Sequence, residues 1–184
     1  KKTGWYGENT DCIPHIRDLH LPTLFGTVLD GEFDYGNTSM GVQSVMGSLP
    51  ERAIAFQEEN GYIPFKAFDI LYYKGVNVQK MPLWKRKVYL AMAIMEILKV
   101  GGDESSRYFI YATMYMTKET KELFLNLITY YDFDYPGDVP LFILNHIEEV
   151  KSYATLYKGF IAEEKEGIML KNMDGIYEQK RSKN

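Results

Sequence analysis

The chain has 184 residues, 46% of them apolar and 15% aromatic, which is enough for one domain with a real core and excludes a disordered chain. A net charge of −4 argues against a strong nonspecific grip on nucleic acid, and the single cysteine, Cys12, excludes an internal disulfide framework. The longest apolar stretch, residues 88–95, is too short to span a bilayer; with no apolar leader at the start, no membrane partner and a cytoplasmic location are expected.

Residues 1–19 show no clear period. Residues 27–35 are rich in β formers, with Val28, Asp30, Glu32 and Asp34 at alternate positions, and read as a strand that Gly36-Asn37-Thr38-Ser39 ends as a turn. Pro50 opens a helix over residues 51–59, with Ala53, Ile54 and Phe56 for its inner face and Asn60-Gly61 as its stop. Residues 63–73 form a mostly apolar strand closed by the turn Lys74-Gly75. Pro82 suits a first helical position. Leu83, Lys87, Leu90, Ile94, Ile97 and Leu98 follow near helical spacing as far as Gly101-Gly102, and apolar residues spread round this helix after Val88, so it should be deeply buried.

Residues 107–116 read as a further strand, and Thr117 caps a helix through Leu123, Leu127 and Tyr130. Residues 134–140 read as a loop, residues 144–158 as helix and residues 168–171 as strand. Asn172-Met173-Asp174-Gly175 then makes a tight hairpin turn before Ile176-Tyr177. Strands mixed with unevenly spaced helices give an α+β class with largely antiparallel sheets flanked by helices, not a βαβ winding.

Few positions offer chemistry. Asp30 and Glu32 project from one face of their strand beside Gly31, which suits a ribose hydroxyl or a hydrated Mg²⁺ as well as it suits a solvated acidic edge. Glu166 opens an apolar run, either as an oxygen ligand for a metal or as a charge that guards a strand edge. Phe68 in its apolar strand reads as core or as a face for a purine base. The basic run Lys85-Arg86-Lys87 reads as a solvated face, whereas Lys180-Arg181 with Lys183 reads equally as a solvated face or as a functional cluster. His15, His20 and His146 lack a metal-ligand spacing, and no Gly-Lys-Ser or Gly-Lys-Thr loop is present.

Order and flanks add to these signals. Val28-Leu29-Asp30-Gly31-Glu32-Phe33 resembles motif III of ATP-dependent DNA ligases. Ala67-Phe68-Asp69-Ile70-Leu71-Tyr72, followed by Lys74-Gly75, Met81-Pro82-Leu83 and the run Lys85-Arg86-Lys87, resembles motif IIIa. Glu166-Gly167-Ile168-Met169-Leu170-Lys171 resembles motif IV, and the tail from Tyr177 resembles the lead into motif V. The motif IV tail favours DNA ligases, phage types among them, over capping enzymes and RNA ligases.

The resemblance implies a partial adenylation domain over residues 1–184, without the OB-fold domain, in the nucleotidyltransferase (ATP-grasp-like) fold of DNA ligases and mRNA capping enzymes. It implies ATP and Mg²⁺ as cofactors, nicked duplex DNA as partner of the parent protein, and a monomer. In that chemistry a lysine attacks the α-phosphate of ATP, the AMP passes to the 5′-phosphate at a nick, and the 3′-hydroxyl expels it. By resemblance Glu32 contacts ribose or metal, Phe68 stacks on adenine, Glu166 binds the metal, and Lys180 and Arg181 face phosphate. Lys2-Thr3-Gly4 is similar to the family's Ser-Arg-x-Gly, with Lys2 in place of the arginine at a phosphate contact.

The nucleophile motif Lys-x-Asp-Gly-x-x-Arg is missing. Val28 stands where Asp30-Gly31 would need the lysine, and Lys171 is one residue too far from Asp174-Gly175. The expectation is therefore that this polypeptide alone forms no lysyl-AMP and retains at most nucleotide binding. Two other readings stand beside it: an RNA ligase or capping-type fragment, and a noncatalytic nucleotide- or nucleic-acid-binding remnant.

Overall fold

The computed structural model describes residues 10–35, 39–130, 135–163, 165 and 167–178. Helices and strands alternate irregularly, and the class is α+β. Strand β1 (Val28–Phe33) pairs antiparallel with β2 (Phe65–Tyr73), which turns through Lys74-Gly75 into the short antiparallel β3 (Val76–Asn77). Helix α1 (Pro14–Arg17) precedes β1, and α2 (Ser39–Met46) and α3 (Pro50–Asn60) lie between β1 and β2. Pro50 opens α3 and Gly61 ends it at φ 95, as the sequence requires.

The sheets are less antiparallel than the sequence suggests. Helix α4 (Leu83–Tyr108) carries the chain back across the sheet, so that β4 (Phe109–Tyr111) joins β2 in parallel. In the same way, α5 (Lys118–Tyr130) and α6 (Val139–Leu144) link β5 (Met114–Met116) to a parallel β6 (Ile147–Glu149). Parallel pairing demands such a crossover, and the expectation of no βαβ winding is corrected on this point.

Other boundaries move too. Residues 144–158 are not one helix: α6 ends at Leu144, β6 intervenes, and α7 (Tyr153–Ala162) starts at Ser152, whose hydroxyl accepts from the Thr155 N–H. Residues 107–116 split into two short strands rather than one, and Ser39 opens α2. Gly36, Asn37 and Thr38 lie outside the described residues. Residues 168–171 form no strand: Met169 and Leu170 are exposed, and no described strand lies alongside to complete a ladder. Gly102 breaks α4 at φ 62, ψ −156, so the glycine pair does interrupt the helix.

The main core forms where α4 packs on β2 and β4 and on α5 and α6. Ile70, Val88, Leu90, Ile94, Phe124, Ile128 and Ile143 are all fully buried there. A smaller core of Cys12, Ile13, Val45, Ala53 and Ile63 ties α2 and α3 to the start of the chain. Beside it the buried amide of Gln57 donates to the carbonyls of Cys12 and Ala53 and accepts from the Ile63 N–H, which satisfies it. Among the described residues no helix is long and apolar enough to cross a membrane.

Candidate functional site

The site grows from irregularities in β2. In the register, Asp30 faces Asp69 and Gly31 faces Ala67, so Phe68 has no counterpart on β1 and sits in a bulge. The bulge also resets the alternation. Ala67 and Ile70, three apart, both enter the main core, which an unbroken strand would not allow. On β1, Asp30 and Glu32 share the face opposite Leu29, Gly31 and Phe33.

The other edge of β2 is covered only in part. β4 pairs with Phe65, Lys66 and Ala67, and β3 pairs with Tyr72 and Tyr73. The gap between them is filled by the first turns of α4 and the loop before it. The Lys87 ammonium donates to the Phe68 carbonyl at 2.7 Å, and the Val78 N–H donates to the Leu71 carbonyl at 3.0 Å. The unpaired strand backbone thus finds its partners outside the ladder.

Asp69 is the charged centre. It is 1% exposed and Arg86 is 3% exposed. The Arg86 guanidinium donates to both carboxylate oxygens, Nε to Oδ1 at 2.9 Å and Nη2 to Oδ2 at 3.0 Å, and the Ile70 N–H adds a third bond to Oδ1 at 2.9 Å. Nη1 of Arg86 donates to the carbonyls of Met81 at 2.6 Å and Gly175 at 3.0 Å. A planar, two-pronged cation is needed for this geometry.

Residues 167–178 wrap across this centre. Lys171 places Nζ 3.8 Å from Asp69 Oδ2 and 5.1 Å from the Phe68 ring centroid. The turn at Asn172 closes through the Gly175 N–H and through the Asn172 side chain, which accepts from the Asp174 N–H. The Trp84 N–H donates to the Met173 carbonyl and the Tyr177 N–H to the Gln79 carbonyl, fixing the segment on α4 and the loop before it. The Tyr177 hydroxyl donates to Asp30 at 2.8 Å, and its ring lies 5.8 Å from the Arg86 guanidinium.

These contacts tune the titrating groups. Burial pulls the Lys87 ammonium down to about 8, opposed by the nearby Asp69 carboxylate and reinforced by Lys171 and Arg86. Burial pushes the Tyr177 phenol up to about 12, helped by its hydrogen bond to Asp30 and that carboxylate's charge. Tyr111, which donates to the Lys87 carbonyl, is raised by complete burial.

The sequence-derived site residues fare unevenly. Phe68 is half-buried in the bulge beneath Lys171. Glu32 is exposed on β1, opposite Lys66. The space beside Gly31 is not open to a ligand: a Cβ there would meet the Lys66 carbonyl at 2.5 Å and the Phe65 ring at 2.6 Å. Glu166, Lys2, Lys180 and Arg181 lie outside the described residues, although Gly167 packs against the Tyr157 ring of α7. Arg86 and Lys87, read as a solvated face, are buried, because the start of α4 plugs the gap in the sheet and Asp69 needs a partner.

The sequence pattern gives no site role to Asp69, Arg86, Lys87, Lys171 or Tyr177, although they fall within or beside the motif-like segments. One signal was available: an aspartate inside an apolar strand must be neutralised, and Lys87 falls on the apolar spacing of its helix. Among the described residues no group of three or more His, Cys, Asp or Glu converges for a metal. A Mg²⁺ held by one or two carboxylates and by ligand phosphates needs no such group. The half-buried ring with an ammonium over it fits an aromatic base that carries an anionic group.

No family model, curated protein or solved structure matches this chain.

Proposed function

We propose that the chain is a partial adenylation domain of the ATP-dependent DNA ligase type, and that its described portion binds an adenine nucleotide. The observation that supports this reading best is the meeting of Phe68 with Lys171. The two lie in separate sequence segments, both of which resemble ligase motifs, and the Lys171 Nζ sits 5.1 Å from the Phe68 ring centroid. An aromatic face beside a partly exposed cation is what a base followed by phosphate requires.

In this reading Phe68 stacks on the adenine, Lys171 neutralises phosphate, and Glu32 on β1 reaches the ribose or a Mg²⁺ brought by the phosphates. When bound, ATP supplies the adenylyl group for lysyl-AMP, DNA-adenylate and nick sealing in the parent protein, acting on nicked duplex DNA. Phosphoryl chemistry of this kind rests on positioning and charge neutralisation, the tasks that fall to these residues. The sequence has no Lys-x-Asp-Gly motif, so the property to test on this polypeptide is binding.

The test is calorimetric titration of the chain with ATP, AMP and GTP, with and without Mg²⁺. Saturable binding that prefers adenine nucleotides is expected. Phe68→Ala should weaken it about tenfold or more, since stacking on one base contributes about 1–3 kcal/mol. Lys171→Ala should weaken ATP more than adenosine. No saturable binding at millimolar nucleotide, or binding indifferent to Phe68, refutes the proposal.

A further inference from the structure

We propose that Arg86 and Lys87 are positioning residues that aim the Phe68 ring and hold Lys171 against it, so that base and phosphate are received as one unit. The inference rests on the nucleotide reading of Phe68.

Phe68 has no register partner on either neighbouring strand. The bulge removes its counterpart on β1, and on the other edge β4 has ended at Ala67 while β3 starts only opposite Tyr72. A bulge re-aims its side chain, and a residue outside the ladder register takes its direction from the contacts around it. The Lys87 bond to the Phe68 carbonyl at 2.7 Å supplies the missing hold.

Arg86 fixes the next residue. Its two bonds to Asp69 set that carboxylate, and the carboxylate draws Lys171 Nζ to 3.8 Å. The bond from Arg86 to the Gly175 carbonyl and its cation–π contact with the Tyr177 ring hold the segment that bears Lys171. One buried guanidinium thereby sets both partners of the Phe68–Lys171 pair. A purely architectural role is served as well by apolar side chains of similar size, because burying ions carries a large desolvation cost. Two adjacent buried cations, spent on one bulge, indicate that the direction of the ring matters.

The experiment uses the full chain with Arg86→Lys and Lys87→Met. The first keeps the charge but not the two-pronged geometry, and the second keeps length without the donor. Two readouts are taken: the ligand-free nuclear Overhauser contact between the Phe68 ring and the Lys171 side chain, and the ratio of inorganic tripolyphosphate Kd to ATP Kd. The wild-type protein should show the contact and a ratio of about ten or more, the value that stacking of one base gives. Each variant should lose the contact, and the ratio should fall about fivefold or more while unfolding stays cooperative.

A structural role alone lowers the melting temperature and leaves both readouts unchanged, which overturns the proposal. If the wild-type chain binds no nucleotide, the reading of the site fails, and the positioning role is judged by the ligand-free contact. Its absence in the wild type, or its persistence in both variants, overturns that role. Should Arg86→Lys fail to fold, Lys87→Met decides by itself.

Discussion

Replacing Arg86 by leucine should be among the most damaging single changes in the protein. The substitution leaves the Asp69 carboxylate buried, with Lys171 at 3.8 Å as its nearest remaining cation among the described residues, and strips donors from the carbonyls of Met81 and Gly175. Removing one partner of a buried ion pair costs about 3–5 kcal/mol. Because the Lys171 side chain is 32% exposed and still attracts the carboxylate, the lower end applies, about 3 kcal/mol. For a domain of this size that is a fall in Tm of about 6–12 °C, or about 1.5 M in the urea midpoint at an m-value of about 2 kcal/mol/M.

The assay is urea unfolding of wild type, Arg86→Leu, Asp69→Leu and the double variant. The double variant removes the uncompensated charge and should be no worse than Arg86→Leu, even though the two carbonyls and the Ile70 N–H lose their partners. A cost below about 1 kcal/mol for Arg86→Leu, the range of an exposed pair, would refute the reasoning. So would a double variant whose cost equals the sum of the two singles, because coupled residues cannot be additive.

Other outcomes follow from the same geometry. Lys87 titrates lower folded than unfolded, so the native state binds fewer protons between about pH 8 and the ordinary lysine range. Wild type should gain stability relative to Lys87→Met as pH rises from about 8 toward 10, measured by thermal unfolding. Tyr177 titrates higher folded, at about 12, so its contribution holds below about pH 10 and is lost above; Tyr177→Phe should lack that alkaline loss. His15 donates from Nε2 to the Ile63 carbonyl, its Nδ1 finds no hydrogen-bond partner among the described residues, and burial lowers its titration. Stability should fall as pH drops below about 6.5, and His15→Phe should flatten that slope. Gly31→Ala should destabilise by about 1–3 kcal/mol in the same urea assay, since the added methyl meets backbone at 2.5 Å.

Periodicity made much of the framework legible. The Pro50 start and Gly61 stop of α3, the Lys74-Gly75 turn, the Thr117 cap and the buried length of α4 all follow from local rules that the tertiary structure obeys. What escaped the sequence is what depends on distant partners. The parallel pairings of β4 and β6 need the chain to be carried back by helices, which no local pattern encodes. Met169 and Leu170 look like a strand by composition, yet a strand exists only where a neighbour offers its edge. Phe68 was legible as a candidate aromatic, but the bulge that leaves it without a counterpart is visible only once β1 and β2 are in register. The basic run misled because charge was read without the aspartate it neutralises, 17 residues earlier.

The Tyr177–Asp30 hydrogen bond joins residues 147 positions apart, and Arg86 reaches 89 positions to the Gly175 carbonyl. The interior ion pair is therefore finished by a late stretch of sequence. Closing loops of that length is slow, so the segment should dock last in folding, after α4 and β2 have already met. Until it does, the guanidinium lacks its Gly175 acceptor and Asp69 lacks Lys171. A protease cut between α7 and Asn172 would then act on the protein as a core mutation does, although it severs only an outer strap.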